Sequence, residues 1–361
     1  MKTTPAIVLL LALCSGSATV ARAVCVGPSV NSFGAKGDGH TDDTAAIQKA
    51  ITAAGAAGGG SVVFNVARYY TTGTLTVPGG VVLCGAVEGP FDVAGVNPAM
   101  TTVAPTILVT NTSGPFLTLQ GTGSAAVTDL LFHYPNQVAS SAATPTVYPY
   151  TIQLSAPGKV ARSSVSNAYN FLDIEVGSVI AQDLFIGAFH TGINIDHALA
   201  NVTLRNIVNQ VFWDVLEGAT YPRPIDTWVL ANGTALVVNR MDALEVHNFF
   251  VFSRFTGMLL TDSTDTTQGL TCGTGAGSDI DLDTVQYGIV VTASQSLGYK
   301  FMNVDVGAAP NVGQAAVQLR TGGSELPKIE INGGSQRGTW ADGPYPTPPP
   351  GTEMVVVNIL P

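Results

Sequence analysis

Two short strand patterns alternate along this chain from about residue 150, and that repetition restricts its fold more than any other feature. The first reads Phe-Leu-Asp-Ile-Glu-Val at 171–176 and Gly-Ile-Asn-Ile-Asp-His at 192–197, then returns at 235–240, 257–262, 288–293 and 316–321. The second reads Val-Ile-Ala-Gln-Asp-Leu at 179–184 and Val-Thr-Leu-Arg-Asn-Ile at 202–207, then returns at 244–249, 280–285 and 299–304. Apolar and polar residues alternate within each, the period of a strand with one buried face. Consecutive repeats begin about 22 to 31 residues apart, close to one turn of a parallel β-solenoid. One such unit cannot bury its apolar face alone, so the repeats must stack.

The second pattern ends in a small polar residue before an apolar one: Asn167, Asp183, Asn206, Asn248, Thr284 and Asn303. Asparagine tolerates the left-handed backbone of a sharp turn. Stacked about 4.8 Å apart, these side chains are expected to form an internal hydrogen-bonded ladder. Earlier coils are less regular, at 61–85 and 106–134. Residues 42–51 read as a short amphipathic helix with acids in its first turn, placed to cover the open end of the first coil. A proline-rich run at 344–350 leaves the last coil, and 354–359 reads as a closing strand. Residues 24–361 therefore form one domain, with 24–60 as N-terminal cap and 340–361 as tail and closing strand. Charged residues make up only 11% of the chain and glycines number 40, which suits a β-rich solenoid better than a helical bundle.

Residues 1–23 read as a signal peptide: Lys2, an apolar run at 7–13, and Ala21-Arg22-Ala23 before Val24. The apolar run is too short to span a bilayer. A secreted or periplasmic protein is expected. Cys25, Cys84 and Cys272 remain in the mature chain, an odd number matching no zinc pattern. One bridge and one thiol suit an oxidising compartment, and Cys25 with Cys84 would pin the N-terminal segment to the first coil. The mature chain holds 13 basic against 25 acidic residues, net −12. It has no cationic stripe for nucleic acid or an anionic membrane. Monomer and trimer are both left open.

Residues 30–51, Val-Asn-Ser-Phe-Gly-Ala-Lys-Gly-Asp-Gly-His-Thr-Asp-Asp-Thr-Ala-Ala-Ile-Gln-Lys-Ala-Ile, resemble the opening motif of the pectate-lyase-like superfamily. The segments Gly-Gly-Ser-Val-Val-Phe at 59–64 and Leu-Thr-Val-Pro-Gly-Gly-Val-Val-Leu-Cys-Gly at 75–85 resemble that group's first coil. The resemblance implies an all-β, single-stranded right-handed parallel β-helix with a short N-terminal capping helix. It also implies a polysaccharide ligand or substrate, but no particular reaction, because fold does not fix function. Polygalacturonase-like members carry an Asn-x-Asp motif, an Asp-Asp pair, a Gly-His-Gly and an Arg-x-Lys at the edge of the first-type strands. Here those places read Tyr169-Asn170, His190-Thr191, Phe255-Thr256 and Gln286-Tyr287. A polygalacturonase mechanism is not supported.

Alignment of the first-type strands places Leu172 and Ile174 over Ile193 and Ile195, pointing inward. Asp173 then lies over Asn194 on the outside, and Glu175 over Asp196, continuing to Asn239, Thr261, Thr292 and Arg320. Adjacent coils put Glu175 and Asp196 about 5 Å apart. Such a pair raises one pKa and gives a proton donor beside an ionised partner, near the separation of retaining glycosidases. The same distance suits a Ca²⁺ held by Asp173, Glu175 and Asp196; in lyases of this fold such an ion neutralises a uronate. A solvated strand face is the alternative for all these acids. His190 and Arg254 are candidate catalytic groups at the strand edge, and His197 is expected to point inward. Asp173, Asn194 and Asn239 are candidate substrate ligands. Insertions at about 214–233 and 264–279 would wall a groove, and Trp213, Tyr221 and Trp228 in the first offer flat faces for sugar rings. The reading is a polysaccharide lyase or glycoside hydrolase, with a non-catalytic carbohydrate-binding solenoid as alternative.

Overall fold

A computed structural model describes residues 25–90, 104–137, 144–210, 223–267, 269, 271–309 and 313–360. The segment read as a signal peptide, together with Trp213 and Tyr221, lies outside the described residues. Among the described residues all strand pairings are parallel and join each strand to the one a coil earlier or later. The chain is a right-handed parallel β-helix. Three columns of strands run along it, here sheets I, II and III.

Sheet I is the first-type pattern, in the register the alternation predicts. Leu172 pairs with Ile193, Ile193 with Leu236, Leu236 with Met258, Met258 with Ile289, and Ile289 with Val317. The column extends back through Ile152 and Leu117 to Leu75. These side chains are buried in one continuous core. A fully buried Leu or Ile contributes about 1.5–3 kcal/mol, and two inward positions per strand repeat that gain in every coil. The long step from Ile193 to Leu236 accommodates the insertion that carries helix α2 (Pro224–Asn232).

Sheet II meets sheet III at a left-handed corner. Asp129, Arg162, Asp183, Asn206, Asn248, Asp279, Asn303 and Asn358 take φ between 45° and 61° there. The strand register on either side stacks Asp129 to Asn303 coil over coil, and Gly333 stands between Asn303 and Asn358. The Asn206 Nδ2 donates to Asp183 Oδ1 at 2.8 Å, Asn248 Nδ2 to Asn206 Oδ1 at 3.0 Å, and Asn303 Nδ2 to Asp279 Oδ1 at 2.8 Å. The ladder exists, but three details of the expectation change. It faces solvent instead of the interior, because a left-handed residue at an outer corner turns its side chain away from the coil. Asn167 and Thr284 are left-handed too, both at φ 59°, but they lie one strand later, where sheet III turns into sheet I. Arg162 and Asp279 take their places in the ladder.

The repeat at 280–285 is therefore one strand out of register. Ile280 pairs with Phe249 in sheet III, and sheet II resumes at Gly275, opposite Leu244. Gly275 and Gly277 occupy inward positions, and a Cβ would sit 2.5 Å from Leu244 Cβ at the first and 2.3 Å from the Val246 carbonyl oxygen at the second. No alternation is visible there because the neighbouring coil fills the space. Left-handed backbone costs an ordinary L-residue about 1–2 kcal/mol, which sets a test at the corner. Asn206→Val is expected to lower urea-unfolding stability by that amount, and Asn206→Gly by less.

The opening motif closes the N-terminal end. Helix α1 (Thr44–Ala56) buries Ile47, Ala50, Ile51 and Ala54 in the main core. The acids precede the helix and are not in its first turn. Asp42 accepts from the Thr44 backbone N–H and hydroxyl at 3.0 and 2.6 Å. Buried Asp43 accepts from the backbone N–H groups of Lys36 and Gly37 at 2.6 and 3.0 Å, fixing the glycine turn before it. Cys25 and Cys84 form a disulfide, as expected, and Cys272 is a buried thiol. The chain closes with the strand Glu353–Leu360, parallel to Lys328–Arg337. Among the described residues no helix is long and apolar enough to cross a membrane.

Candidate functional site

The outward side of sheet I gathers most of the candidate residues. Asp173 stands between Gln153 of the preceding strand and Asn194 of the next. Gln153 Nε2 donates to its Oδ2 at 3.0 Å and Asn194 Nδ2 to its Oδ1 at 2.8 Å. Asn239 Nδ2 donates in turn to Asn194 Oδ1 at 2.9 Å, so one hydrogen-bonded chain spans four coils. Only 6% of Asp173 is exposed. Burial pushes its carboxyl above the ordinary value, the Asp196 charge adds to that, and the two amide bonds oppose it.

Glu175 lies two residues on, half-buried, accepting from the Ser155 hydroxyl at 3.2 Å. Burial raises its pKa first, then the Asp173 charge. A carboxyl whose pKa is higher in the folded than in the unfolded chain takes stability away as pH rises between those two values. Glu175→Gln is therefore expected to melt higher than wild type at neutral pH, and to lose that advantage at a pH low enough to protonate the carboxyl in both states. An advantage that is the same at both pH values would contradict this environment.

Asp196 occupies the next coil at the Glu175 position, as the alignment requires: the Glu175 backbone N–H bonds to Leu154 O, and the Asp196 N–H to Ile174 O. Its carboxylate is committed elsewhere. It accepts from the Ser263 hydroxyl at 2.8 Å, the His197 N–H at 2.8 Å and the Arg240 N–H at 3.2 Å. Asp196 thus anchors the second insertion to the edge of sheet I. These commitments correct the Ca²⁺ expectation. Among the described residues no three His, Cys or carboxylate side chains converge on a metal position. The Asp173 oxygens face amides and the Asp196 oxygens face a hydroxyl and backbone, where a hard cation needs several free carboxylate oxygens.

His197 does not point inward. It takes φ 54°, and Nε2 lies 3.1 Å from Asp265 Oδ2 in the second insertion. That insertion is shorter than expected, because the strand resumes at Gly275.

His190 sits at the other end of the strand, six residues or roughly 20 Å from Asp196 at about 3.3 Å per residue. It is not beside Asp196. Its ring stacks on Tyr169 at 4.8 Å and 2°, and Trp228 of α2 tilts toward both at 6.0–6.1 Å. Nδ1 lies 3.2 Å from Asn170 Oδ1 and 2.9 Å from Thr191 Oγ1. In the tautomer that donates from Nδ1 to Asn170, Nε2 keeps the basic lone pair. Burial lowers the His190 pKa, and the charge of Arg254 lowers it further. Helix α2 is held over this spot by Ile225 and Val229 packing on Phe189, and its first turn is capped by the buried Arg223–Asp226 ion pair at 2.7 Å.

Arg254 is not on the outward side of sheet I. It is fully buried, with Nε donating to Asn209 Oδ1 at 3.0 Å and Nη1 to the Phe189 carbonyl at 3.4 Å. Burial pushes its pKa down to about 9. Left-handed Ser253, φ 62°, breaks the alternation just before it, so Arg254 pairs with buried Val285 inside the coil. Two residues on the same face were not singled out from the sequence. Tyr150, opposite Asn170, hydrogen-bonds Thr191 and lies close enough to Asp173 to feel its charge; Gln153 is the amide on Asp173. Aligning Tyr-Thr-Ile-Gln-Leu at 150–154 with the first-type strands would have found both.

A stacked parallel coil with an amide-lined carboxyl row on one sheet is a right-handed parallel β-helix with a polar outward face on sheet I. Residues 28–114 match the rhamnogalacturonase A/epimerase, pectate lyase-like family. Among curated relatives, mannuronan C5-epimerase AlgE3 of Azotobacter vinelandii is 47% identical over 68 residues, covering 17% of this chain and 4% of that protein. Alginate lyase 7 of the same organism is 58% identical over 45 residues, 12% of this chain and 5% of that protein. The chain thus spans a small part of the length of these relatives. A tailspike protein variant of E. coli bacteriophage HK620, solved with a pentasaccharide, superposes with a TM-score of 0.51 at 10% identity. That match covers 92% of this chain and 65% of the tailspike, and shows the shared fold.

Proposed function

We propose that the outward side of sheet I binds an extended polysaccharide, and that Glu175 is the proton donor of an enzyme acting on it. The observation that carries this is the pair of carboxyls, Asp173 and Glu175, whose pKa values burial raises, set among the amides of Gln153, Asn194 and Asn239 and the Ser155 hydroxyl. A carboxyl whose pKa burial raises holds its proton to higher pH than an exposed one and can hand it to a leaving glycosidic oxygen, a step common to hydrolysis and elimination. Asp173, Asn194 and Asn239 supply hydrogen bonds to sugar hydroxyls. Asp196 acts through its charge and by holding the second insertion. His190, with Tyr169 and Trp228, is too distant to share a reaction centre with Glu175; together they form a flat platform for sugar rings. The names of the alginate-acting relatives support a polysaccharide as ligand. Export is part of the same reading, supported by residues 1–23 and by the disulfide.

A glycan panel assayed at once for new reducing ends and for unsaturated uronate, with and without Ca²⁺, tests this. Turnover that Glu175→Gln abolishes and Ca²⁺ leaves unchanged is expected; turnover that survives in Glu175→Gln overturns the assignment. A non-catalytic carbohydrate-binding solenoid is the second reading. It is favoured by Tyr169-Asn170 and His190-Thr191 standing where polygalacturonase-like chains place catalytic acids. Binding without either product would select it.

A further inference from the structure

The charge map of the chain narrows the ligand, on the reading that sheet I is the polysaccharide face. The mature chain holds 13 Lys and Arg residues, and none of them falls in the segments outside the described residues. Each can therefore be placed. Arg254 is sealed in the core and Arg223 is buried against Asp226. Arg240 is paired with Asp242 at a turn. Lys159, Arg205, Lys300 and Lys328 lie in sheet II. Arg162 belongs to the corner ladder, Arg68 and Arg337 to sheet III, and Lys36 and Lys49 to the N-terminal cap.

Only Arg320 reaches the outward side of sheet I. It stacks over Tyr287 at 4.7 Å and donates to Gln318. It is five coils from Glu175, roughly 24 Å at 4.8 Å per coil, beyond the Debye length of about 10 Å at 0.1 M salt. His190 is held toward its neutral form by burial. His197 is the one basic side chain close enough to act on Asp173 and Glu175, and its Nε2 is already paired with Asp265 Oδ2 at 3.1 Å. The face around Glu175 therefore offers carboxyls, amides and hydroxyls, and no Lys or Arg. The carboxyls are also tied to amides, hydroxyls and backbone, so they are not arranged to gather a bridging cation.

We infer that the polysaccharide bound along sheet I is a neutral one, not the polyuronate that the names of the sequence relatives suggest. A polyuronate brings one carboxylate per residue onto a face that has no Lys or Arg to neutralise it and whose nearby His197 is taken by Asp265, and like charges disfavour association. Amides and hydroxyls beside a carboxyl suit the hydroxyls of an uncharged glycan.

The test is binding of neutral oligosaccharides (glucan, mannan and xylan series) and of oligogalacturonate and oligomannuronate of equal length. Each is titrated into the full mature protein and its Glu175→Gln variant at neutral pH, at low and high salt. The expected result is at least about tenfold weaker binding of the uronates at low salt, a gap that narrows with salt and in Glu175→Gln. Uronate binding as tight as that of the best neutral glycan, and altered by Glu175→Gln, would overturn the inference and leave the groove standing. Glycan binding indifferent to Glu175→Gln would overturn the groove assignment itself. Addition of Ca²⁺ that makes the uronates the tighter ligands would also overturn the inference.

Discussion

Glu175→Gln is expected to lower turnover of the polysaccharide substrate by at least about a hundredfold, the ordinary contribution of a positioned general acid. Folding should survive, because the side chain is half-exposed and its one side-chain partner among the described contacts is the Ser155 hydroxyl. The glutamine amide can still bond that hydroxyl but has no proton to give. The loss should fall on kcat, since the amide keeps the shape and polarity that bind the sugar. The pH profile offers a second readout. In wild type, activity should fall as pH rises through the raised Glu175 pKa, and the residual activity of the variant should not follow that limb. A variant with wild-type kcat and an unchanged high-pH limb would place the proton donor elsewhere.

Cys25→Ser is expected to lower unfolding stability by about 4 kcal/mol, the chain-entropy value for a bridge across 59 residues. Cys25 is partly exposed, so the loss comes from the tether and not from a cavity. The bridge ties the segment before the opening motif to the first-coil strand Val81–Gly85. Its removal should therefore loosen the end that α1 covers. Urea unfolding of wild type and variant, with and without reductant, measures this; a wild type unaffected by reductant would contradict it.

Much of the fold was legible because sheet I alternates cleanly. Leu172, Ile193, Leu236 and Met258 could be aligned by eye, and their outward neighbours followed from strand geometry. The errors have local causes. Arg162 was overlooked as a corner residue because arginine seldom adopts left-handed backbone; here Asp129 holds it through two hydrogen bonds of 2.7 and 2.8 Å. Gly275 and Gly277 hid a strand because the side chains they accommodate belong to another coil.

The site was less legible than the fold. Glu175 and Asp196 stand in neighbouring coils as the alignment required. Whether a carboxylate is free depends on partners far away in sequence, and Ser263, which occupies Asp196, lies 67 residues on. Arg254 was misplaced because one left-handed residue, Ser253, reverses the alternation that assigned it to the surface. Raised pKa values at Asp173 and Glu175 arise from burial by neighbouring coils, which residue spacing does not record.

The central claim is that sugar lies along the outward side of sheet I. A crystal structure of Glu175→Gln soaked with the tightest-binding oligosaccharide of the panel tests it most directly. Sugar density crossing the strands of Gln153, Asp173 and Asn194, within hydrogen-bond reach of residue 175, is the predicted result. Sugar bound on sheet II, sheet III or the corner ladder, with the sheet I face bare, would contradict it.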